Sequence, residues 1–234
     1  MIDPRDLAIS LLSKQSERDK QISIGASNLS NTCSRCLADD MIGVRQPQGK
    51  YYMGAVIGSA LHAHLELQAQ DDPNLLTEQR VIIGEIEGYG EVKSTSDLFV
   101  IDDGLVVDWK TTTKKKMLSL KDAFNTAPSE YDTNVLLSAR STAKKYTHQM
   151  LLYGMGIENL GYKVNAVVPV FIARDSTSDS TGEIWAPEPI PYLRDNAEKV
   201  LGRGKAIWAA VQGGRDVESF VSHPQCFYCS VVRS

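Results

Sequence analysis

Residues 94–113 read STSDLFVIDDGLVVDWKTTT, and this stretch decides the fold because it predicts a β-hairpin. Positions 96–101 are rich in β-branched and aromatic residues, Asp103-Gly104 is a two-residue turn signal, and positions 105–110 form the return strand. The sequence therefore predicts a tight hairpin whose two strands are neighbours in one sheet.

The two-residue turn predicts which residues of the hairpin face one another. Asp97 falls opposite Lys110, and Phe99 falls opposite Asp108. Because side chains alternate between the two faces of a strand, Asp97, Asp108 and Lys110 are expected on one face. Asp97 and Asp108 are then diagonal neighbours, roughly 7–8 Å apart at the backbone, which lets both carboxylates reach one cation.

Charged residues on a strand more often mark a face that is exposed to solvent. The return strand is nevertheless too apolar for an exposed edge, since it also contains Leu105, Val106, Val107 and Trp109. Buried charges need charged partners or a metal ion. The hairpin alone is therefore compatible with a solvated strand and with a metal-dependent active site.

The composition is that of an ordinary globular protein, with 42% hydrophobic and 23% charged residues in 234. This length can bury a substantial core, and we expect a single domain over residues 1–234. No apolar run approaches the ~20 residues of a membrane span, and the N-terminus lacks a secretory signal pattern. We therefore expect a cytoplasmic protein with reduced thiols. The net charge of −4 means that any contact with DNA would use a local basic patch.

Helical and strand patterns alternate along the rest of the chain. Helices are predicted at 4–14, 27–43, 54–70, 142–160 and 192–212, and further strands at 79–86 and 165–173. Pro169 cannot donate a ladder hydrogen bond, so its strand is predicted to be bulged or at an edge. Region 111–140 is predicted to be irregular, with a loop near 127–132. The elements predict an α/β (α+β) fold.

Three groups of polar residues outside the hairpin are candidates for function. His62 lies beside the apolar stripe of helix 54–70, and Gln149 and Tyr153 project together from helix 142–160. The lysines from Lys114 to Lys116 follow the return strand, where they could contact a phosphate backbone. Each group also has an ordinary interpretation: a structural histidine, a polar pair at the core edge and a solvated lysine run.

The four cysteines form two pairs near opposite ends of the chain, Cys33-x-x-Cys36 and Cys226-x-x-Cys229. Paired CxxC spacing is a specific signal for metal binding, and disulfides are the poorer explanation in a reducing compartment. One metal centre would join residues 27–43 to residues 220–234, a unit that we call the clasp. Two plus two cysteines are the arrangement of a structural zinc site.

Four motifs occur in a recognisable order: GSALHAHLE, STSDLFV, VVDWKTT and HQMLLYG. In this order they resemble the motifs of the PD-(D/E)xK nuclease superfamily. Within it the chain is similar to the RecB-like exonucleases, which include the CRISPR-associated exonuclease (the type-four Cas protein) and phage relatives. The resemblance covers residues 27–229 and implies a restriction-endonuclease-like core, in which helices flank a mixed central sheet.

The resemblance also implies a role for each matching residue. The implied ligands of a Mg²⁺ or Mn²⁺ ion are His62, Asp97, Asp108 and the main-chain carbonyl of Trp109. Lys110 would orient or help to deprotonate the attacking water and offset the charge of the transition state. Gln149 and Tyr153 would position the DNA strand.

In the resembled exonucleases a cysteine clasp holds an iron–sulfur cluster, so we expect a [4Fe–4S] cluster here, with structural Zn²⁺ as the alternative. The pattern departs from that family, which usually has one early cysteine and three late ones. Cys33 best matches the early cysteine, and Cys36 would then replace the missing late one.

The sequence predicts a divalent-metal-dependent DNA exonuclease that acts on single-stranded ends in recombination, repair or replication, with DNA as its partner. One alternative is a catalytically idle DNA- or protein-binding module, which the intact Asp97, Asp108 and Lys110 argue against. Another is an endonuclease of the same superfamily, which the clasp and the Gln-x-x-x-Tyr helix argue against.

Overall fold

The computed structural model describes residues 24–43, 53–175 and 183–232. The helix predicted at 4–14 lies outside these ranges. Within them, no helix is both long enough and apolar enough to cross a membrane.

The helices of the described chain are α1 (Ala26–Leu29), α2 (Ser34–Met41), α3 (Met53–Ala69), α4 (Lys114–Asn125), α5 (Asn134–Asn159) and α6 (Arg194–Gln212). The strands are β1 (Leu75–Ile86), β2 (Gly90–Val100), β3 (Leu105–Thr112), β4 (Ala166–Ala173), β5 (Ile184–Trp185) and β6 (Ile190–Pro191). A 3₁₀ turn at Val217–Ser219 and a π-helical turn at Tyr228–Val232 follow α6.

These strands form one mixed sheet. β1, β2 and β3 are an antiparallel meander, and β4 lies parallel to β3 over the whole length of that strand. Parallel neighbours need a crossover connection, which α4 and α5 supply between β3 and β4. The short strands β5 and β6 both pair with β4 in the antiparallel direction. The predicted class, a mixed sheet flanked by helices, is confirmed.

The larger core lies on the sheet face that carries α5. Phe99 and Val106 are partners across β2 and β3, and both belong to a buried cluster with Met150 of α5. The alternate residues of β2 and β3, whose side chains point to the opposite face, belong to a smaller buried cluster there. Since side chains alternate along a strand, Asp97 and Asp108 are on the face that carries α5.

The turn between β2 and β3 is longer than predicted. The observed partners are Leu98 with Val107, Phe99 with Val106 and Val100 with Leu105. The predicted pairing of Asp97 with Lys110, and of Phe99 with Asp108, is therefore wrong by two residues. Continuing the observed register sets Asp97 opposite Asp108, and because the shift is even the two still share a face.

Asn74, just before β1, explains the longer turn. Its carbonyl accepts the N–H of Ile101 at 2.9 Å, and its Oδ1 accepts the N–H of Asp102 at 2.8 Å. These two residues are thus bonded to Asn74 and do not extend the hairpin ladder. Gly104 closes the turn with a φ of 61°, a conformation that glycine adopts without steric cost.

The single helix predicted at 27–43 is two short helices, α1 and α2. The chain leaves the helical path after Leu29, and the side chain of Asn31 accepts the N–H of Cys33 at 3.0 Å. Such local side-chain bonds compete with helix formation. Cys33 consequently occupies the N-cap of α2, with Cys36 in its first turn.

Region 111–140, predicted to be irregular, contains α4 and the first turns of α5. Thr113 caps α4 by accepting a main-chain N–H three residues on, and Met117 and Leu120 of this helix are buried. Thr133 caps α5 in the same way, so this helix begins at Asn134 and not at 142. Capping threonines therefore define both helix starts that the apolar pattern did not reveal.

The predicted helices α3 and α6 and strand β4 are confirmed with small shifts, whereas β1 begins four residues before its predicted start at 79. α3 and α6 each begin and end within two residues of their predicted bounds. In β4, Pro169 faces Asp108 of β3, while β6 and β5 pair only with the two ends of the strand on its other side. Within the described residues, β4 is therefore an inner strand and not the bulged or edge strand that was predicted, although Pro169 itself has no partner on the side of β5 and β6.

Candidate active site

Three acidic residues lie in one row across β1, β2 and β3. The residues on either side of Glu78 pair with those on either side of Asp97, which sets the two acids opposite each other. Asp108 is next in the row by the β2–β3 register. The side chain of Asp97 is 11% exposed and that of Asp108 only 1%. The row of acidic side chains therefore runs from the edge strand of the sheet to its buried interior.

Asp97 is bound to the strand that carries Asp108. Its Oδ2 accepts the main-chain N–H of Trp109 at 2.9 Å, just beyond the last main-chain pair of β2 and β3. Burial opposes ionisation of Asp97, but the contacts with His62, the charge of Lys110 and the Trp109 N–H outweigh it and lower the pKa of the carboxyl. Asp97 is therefore held as a carboxylate.

His62 reaches the same point from α3. Its Nε2 lies 3.0 Å from the carbonyl oxygen of Trp109, and its Nδ1 lies 3.5 Å from Oδ2 of Asp97. Hydrogen bonding to Asp97 raises the pKa of His62 against the effect of burial. Both ring nitrogens thus face acceptors, so a proton and a metal ion would compete for the same nitrogen of His62.

Asp108 and Lys110 form a buried ion pair on β3. Nζ of Lys110 lies 2.5 Å from Oδ2 of Asp108. Oδ1 of Asp108 has no hydrogen-bond partner within the described chain, although it is inaccessible to solvent. Burial raises the pKa of Asp108 to about 7 despite the charge of Lys110. Buried acceptors without donors are rare in folded proteins and call for an explanation.

α5 covers this ion pair with polar and aromatic side chains. Nε2 of Gln149 donates to the hydroxyl of Tyr153 at 2.6 Å, so the predicted pair does project together. Burial, and then the charge of Asp108, raise the pKa of Tyr153, which puts the phenol near the buried ion pair. The ring of Tyr146, one turn before Gln149, lies 5.3 Å from Nζ of Lys110.

Glu78 is a site residue that the sequence reasoning missed. Its carboxylate, a ring nitrogen of His62 and the carboxylate of Asp97 all lie within 4.8 Å of one another. The strand was predicted to begin at 79, whereas β1 begins at Leu75, so Glu78 was assigned to the preceding loop. Extending β1 and pairing it with β2 would have placed Glu78 beside Asp97.

The donor atoms of this site fit a small divalent cation. They are the carboxylates of Glu78 and Asp97, one imidazole nitrogen of His62 and the main-chain carbonyl of Trp109, a mixture suited to Mg²⁺ or Mn²⁺. Asp108, which was also predicted as a ligand, is not in the group whose ligand atoms all lie within 4.8 Å of one another. Oδ1 of Asp108, buried and without a hydrogen-bond donor in the described chain, is an atom that such an ion would satisfy.

The four cysteines come together as the sequence predicts. Their sulfur atoms all lie within 4.8 Å of one another, and no disulfide joins them. Arg35 of α2 reinforces the clasp by donating to the carbonyls of Glu218 and Phe220, at 2.7 Å and 3.2 Å. The cysteine cluster therefore joins α2 to the C-terminal segment, as expected for the clasp.

Comparison with solved structures identifies the class of fold. The structure named SSO0001 has a TM-score of 0.50 and 14% identity, with coverage of 92% of this chain and 88% of that one. The alkaline exonuclease LHK-Exo from Laribacter hongkongensis also has a TM-score of 0.50, with 12% identity over 84% of this chain and 90% of its own. A phage-related exonuclease from Haemophilus somnus has a TM-score of 0.48 at 11% identity, covering 91% of both chains.

No family model matches the sequence, and no curated protein does. At these identities the likeness is one of fold alone, shared with a protein described as an alkaline exonuclease. The predicted fold class is thus confirmed, and membership of the RecB-like, PD-(D/E)xK nucleases stays a prediction.

Proposed function

We propose that the protein is a divalent-metal-dependent deoxyribonuclease that hydrolyses DNA from its ends. The observation that carries this proposal is the fully buried carboxylate of Asp108, which lies opposite Asp97 and whose Oδ1 has no hydrogen-bond donor in the described chain. A buried carboxylate beside a second one is costly for stability alone, because each must be desolvated and the two repel. A cation-binding site accounts for that cost.

The proposed ligands of the cation are His62, Glu78, Asp97, Asp108 and the main-chain carbonyl of Trp109. When bound, a Mg²⁺ or Mn²⁺ ion would supply Lewis-acid activation of the scissile phosphate and a water molecule of lowered pKa. Four of these positions were predicted from the sequence, and Glu78 is added from its distance to His62 and Asp97.

The neighbouring residues have roles that their contacts support. Lys110 holds its ammonium group beside Asp108, where it can orient the attacking water and offset negative charge on the phosphate in the transition state. Tyr146 lies against that ammonium group. Gln149 and Tyr153, which are hydrogen-bonded to each other, would position the DNA strand from α5.

Action at DNA ends is proposed because the fold is shared with a protein described as an alkaline exonuclease. Single-stranded ends are the substrate that the sequence motifs led us to expect. Recombination, repair or replication would supply such ends. The clasp is assigned a structural role, since four thiolates around a metal leave no open position for a substrate.

The test is hydrolysis of end-labelled single- and double-stranded DNA in Mg²⁺ or Mn²⁺, with circular DNA as a control. We expect linear DNA to be degraded from its ends and circular DNA to survive. Asp108→Asn should lower the rate by at least ~10²–10³-fold, the effect of losing one electrostatic contact in a transition state. Asp103→Asn, an exposed aspartate in the turn of the same hairpin, is the matched control and should retain activity.

Each part of the proposed function is contradicted by a different result. Cleavage of circular DNA would show that the enzyme is an endonuclease and not an exonuclease. DNA binding without hydrolysis by the folded wild-type protein would indicate a binding module. Equal rates for Asp108→Asn and wild type would remove Asp108 from the site.

A further inference from the structure

The spacing of the four cysteine sulfurs is the measurement that decides which metal centre the clasp can hold. Sγ of Cys36 lies 3.4 Å from that of Cys226 and 3.6 Å from that of Cys229, and Cys33 and Cys229 are also 3.6 Å apart. All of the sulfur–sulfur distances are at most 4.8 Å.

A single tetrahedral ion requires this spacing. With metal–sulfur bonds of ~2.3 Å, four ligands at the corners of a tetrahedron are about 3.8 Å apart. In a [4Fe–4S] cubane each thiolate binds a different iron and points outward from its own corner. The four sulfurs must then be farther apart than ligands that share one ion, and the observed cluster leaves no room for four irons and four sulfides between them.

We propose that the clasp binds a single tetrahedral Zn²⁺ ion in place of the [4Fe–4S] cluster expected from the family resemblance. Two CxxC pairs that contribute two ligands each are the usual arrangement of a structural Cys₄ zinc site. The proposal is independent of nuclease activity, because it concerns only the cysteines and the segments that they join.

The surroundings of the sulfurs suit a closed structural site. Cys33 and Cys36 are 1% and 0% exposed, so the centre is shielded on the α2 side. Both lie at the N-terminus of α2, where the helix dipole favours thiolates. The main-chain N–H of His223 donates to Sγ of Cys33 at 3.4 Å, a contact that further offsets the negative charge of four thiolates.

The test is analysis of the wild-type full-length chain, produced with both iron and zinc available and purified without oxygen. We expect zinc as the metal bound to sulfur, no acid-labile sulfide and a colourless solution. X-ray absorption at the zinc edge should show four sulfur neighbours at ~2.3 Å and no second metal nearby. This readout also excludes zinc held in the candidate active site, whose ligands are oxygen and nitrogen.

Two variants assign the ion to its site. The double variant Cys33→Ser, Cys36→Ser should lose the sulfur-bound zinc, whereas His62→Ala should retain it. Iron with sulfide in the anaerobic wild-type protein would overturn the proposal, and so would iron without sulfide or disulfides between the cysteines. Because these results come from the wild-type chain, they stand even if the cysteine variant does not fold.

Discussion

Glu78 is the sole non-glycine residue of the described chain with a positive φ, at 46°. For an L-residue this conformation costs about 1–2 kcal/mol, because Cβ approaches the following carbonyl oxygen. Strained residues persist where the surrounding structure requires them, and they cluster at functional sites. The strain at Glu78, next to His62 and Asp97, supports a functional role for its carboxylate.

Replacing Glu78 with glutamine should weaken binding of Mn²⁺ about 10–100-fold, the range seen when groups that support a metal site are changed. The amide keeps the shape of the side chain but removes its charge. Titration calorimetry with Mn²⁺ measures the affinity directly. Glu85→Gln, on an exposed position of the same strand, should bind as wild type does. Equal affinity in both variants would exclude Glu78 as a ligand.

At the scale of single residues, the sequence predicted the face of the sheet correctly but not the partners. Asp97 and Asp108 share a face in any register that differs by an even number of residues, so the prediction survived a turn of the wrong length. The turn itself depends on Asn74, which is distant in sequence and whose hydrogen bonds no local pattern reveals. Glu78 was missed for a similar reason, since its place follows from pairing with β2.

Two glycines of helix α6, Gly202 and Gly204, are only two positions apart but have different amounts of space around them. A Cβ on Gly204 would overlap Cδ2 of Leu29, a fully buried side chain, whereas a Cβ on Gly202 meets nothing within 4 Å. The space at Gly204 therefore allows α1 to pack closely against α6.

Gly204→Ala should destabilise the protein by about 1–3 kcal/mol, the usual cost of overpacking. Gly202→Ala should stabilise it by roughly 0.5–1 kcal/mol, because alanine is the better helix former and the position is open. Urea unfolding of both variants gives the two values. The same sign for both substitutions would contradict the packing described for α1 and α6.

His148, on α5, should make the protein sensitive to acid. Its Nδ1 is buried and has no hydrogen-bond partner in the described chain. Burial, and then the charges of Lys144 and Arg203, lower the pKa of His148 from its ordinary 6.5 to about 4. The unfolded chain therefore binds more protons between these two values, so His148 lowers the free energy of unfolding as the pH falls from 6.5 towards 4.

Urea unfolding at pH 7 and pH 5 tests this expectation. The loss of stability between the two should be smaller for His148→Gln, which cannot gain the proton. His64→Gln, an exposed histidine of α3, should show the same loss as wild type. A His148→Gln variant with the full acid sensitivity would assign the effect to other groups.

At the scale of elements, apolar periodicity identified α3, α6 and the core of α5, because each repeats over several turns. It did not identify α4, whose first turn consists of lysines and whose start depends on the cap at Thr113. Nor did it show that the chain turns between α1 and α2, where Asn31 diverts the backbone. In both places a hydrogen bond from the backbone to a side chain determines where a helix begins.

The clasp connects parts of the chain that are 196 residues apart, from Cys33 to Cys229. Joining such distant segments restricts the unfolded chain, and the cost of closing so long a loop grows only slowly with length. Cys229→Ser should therefore lower the melting temperature by ~5 °C or more, since 1 kcal/mol corresponds to about 2–4 °C at this size.

Thermal unfolding and the rate of DNA hydrolysis per folded molecule should be measured together. The rate should be unchanged, because the clasp cysteines are not among the residues of the candidate active site. Ser230→Ala, on the exposed neighbour of Cys229, should melt as wild type does. A Cys229→Ser protein of normal stability that had lost activity would assign a catalytic role to the clasp.

At the scale of the molecule, the order of the motifs predicted the architecture. Each motif lies on a helix or a strand, and the resemblance that the motifs carry implies how those elements are arranged around the sheet. The spacing of the cysteines predicted that the two ends of the described chain meet. It could not distinguish one metal ion from a cluster, since both need four thiolates and only the distances between sulfurs separate them.

Trp109 contributes to the candidate active site through its main chain, with its carbonyl next to His62 and its N–H bound to Asp97. Every amino acid except proline carries both groups. Its indole packs with the small apolar cluster, so other apolar side chains should serve there. Position 109 should therefore vary among natural relatives, while the positions on either side of it should not. In a saturation library, proline should be the least tolerated residue at position 109.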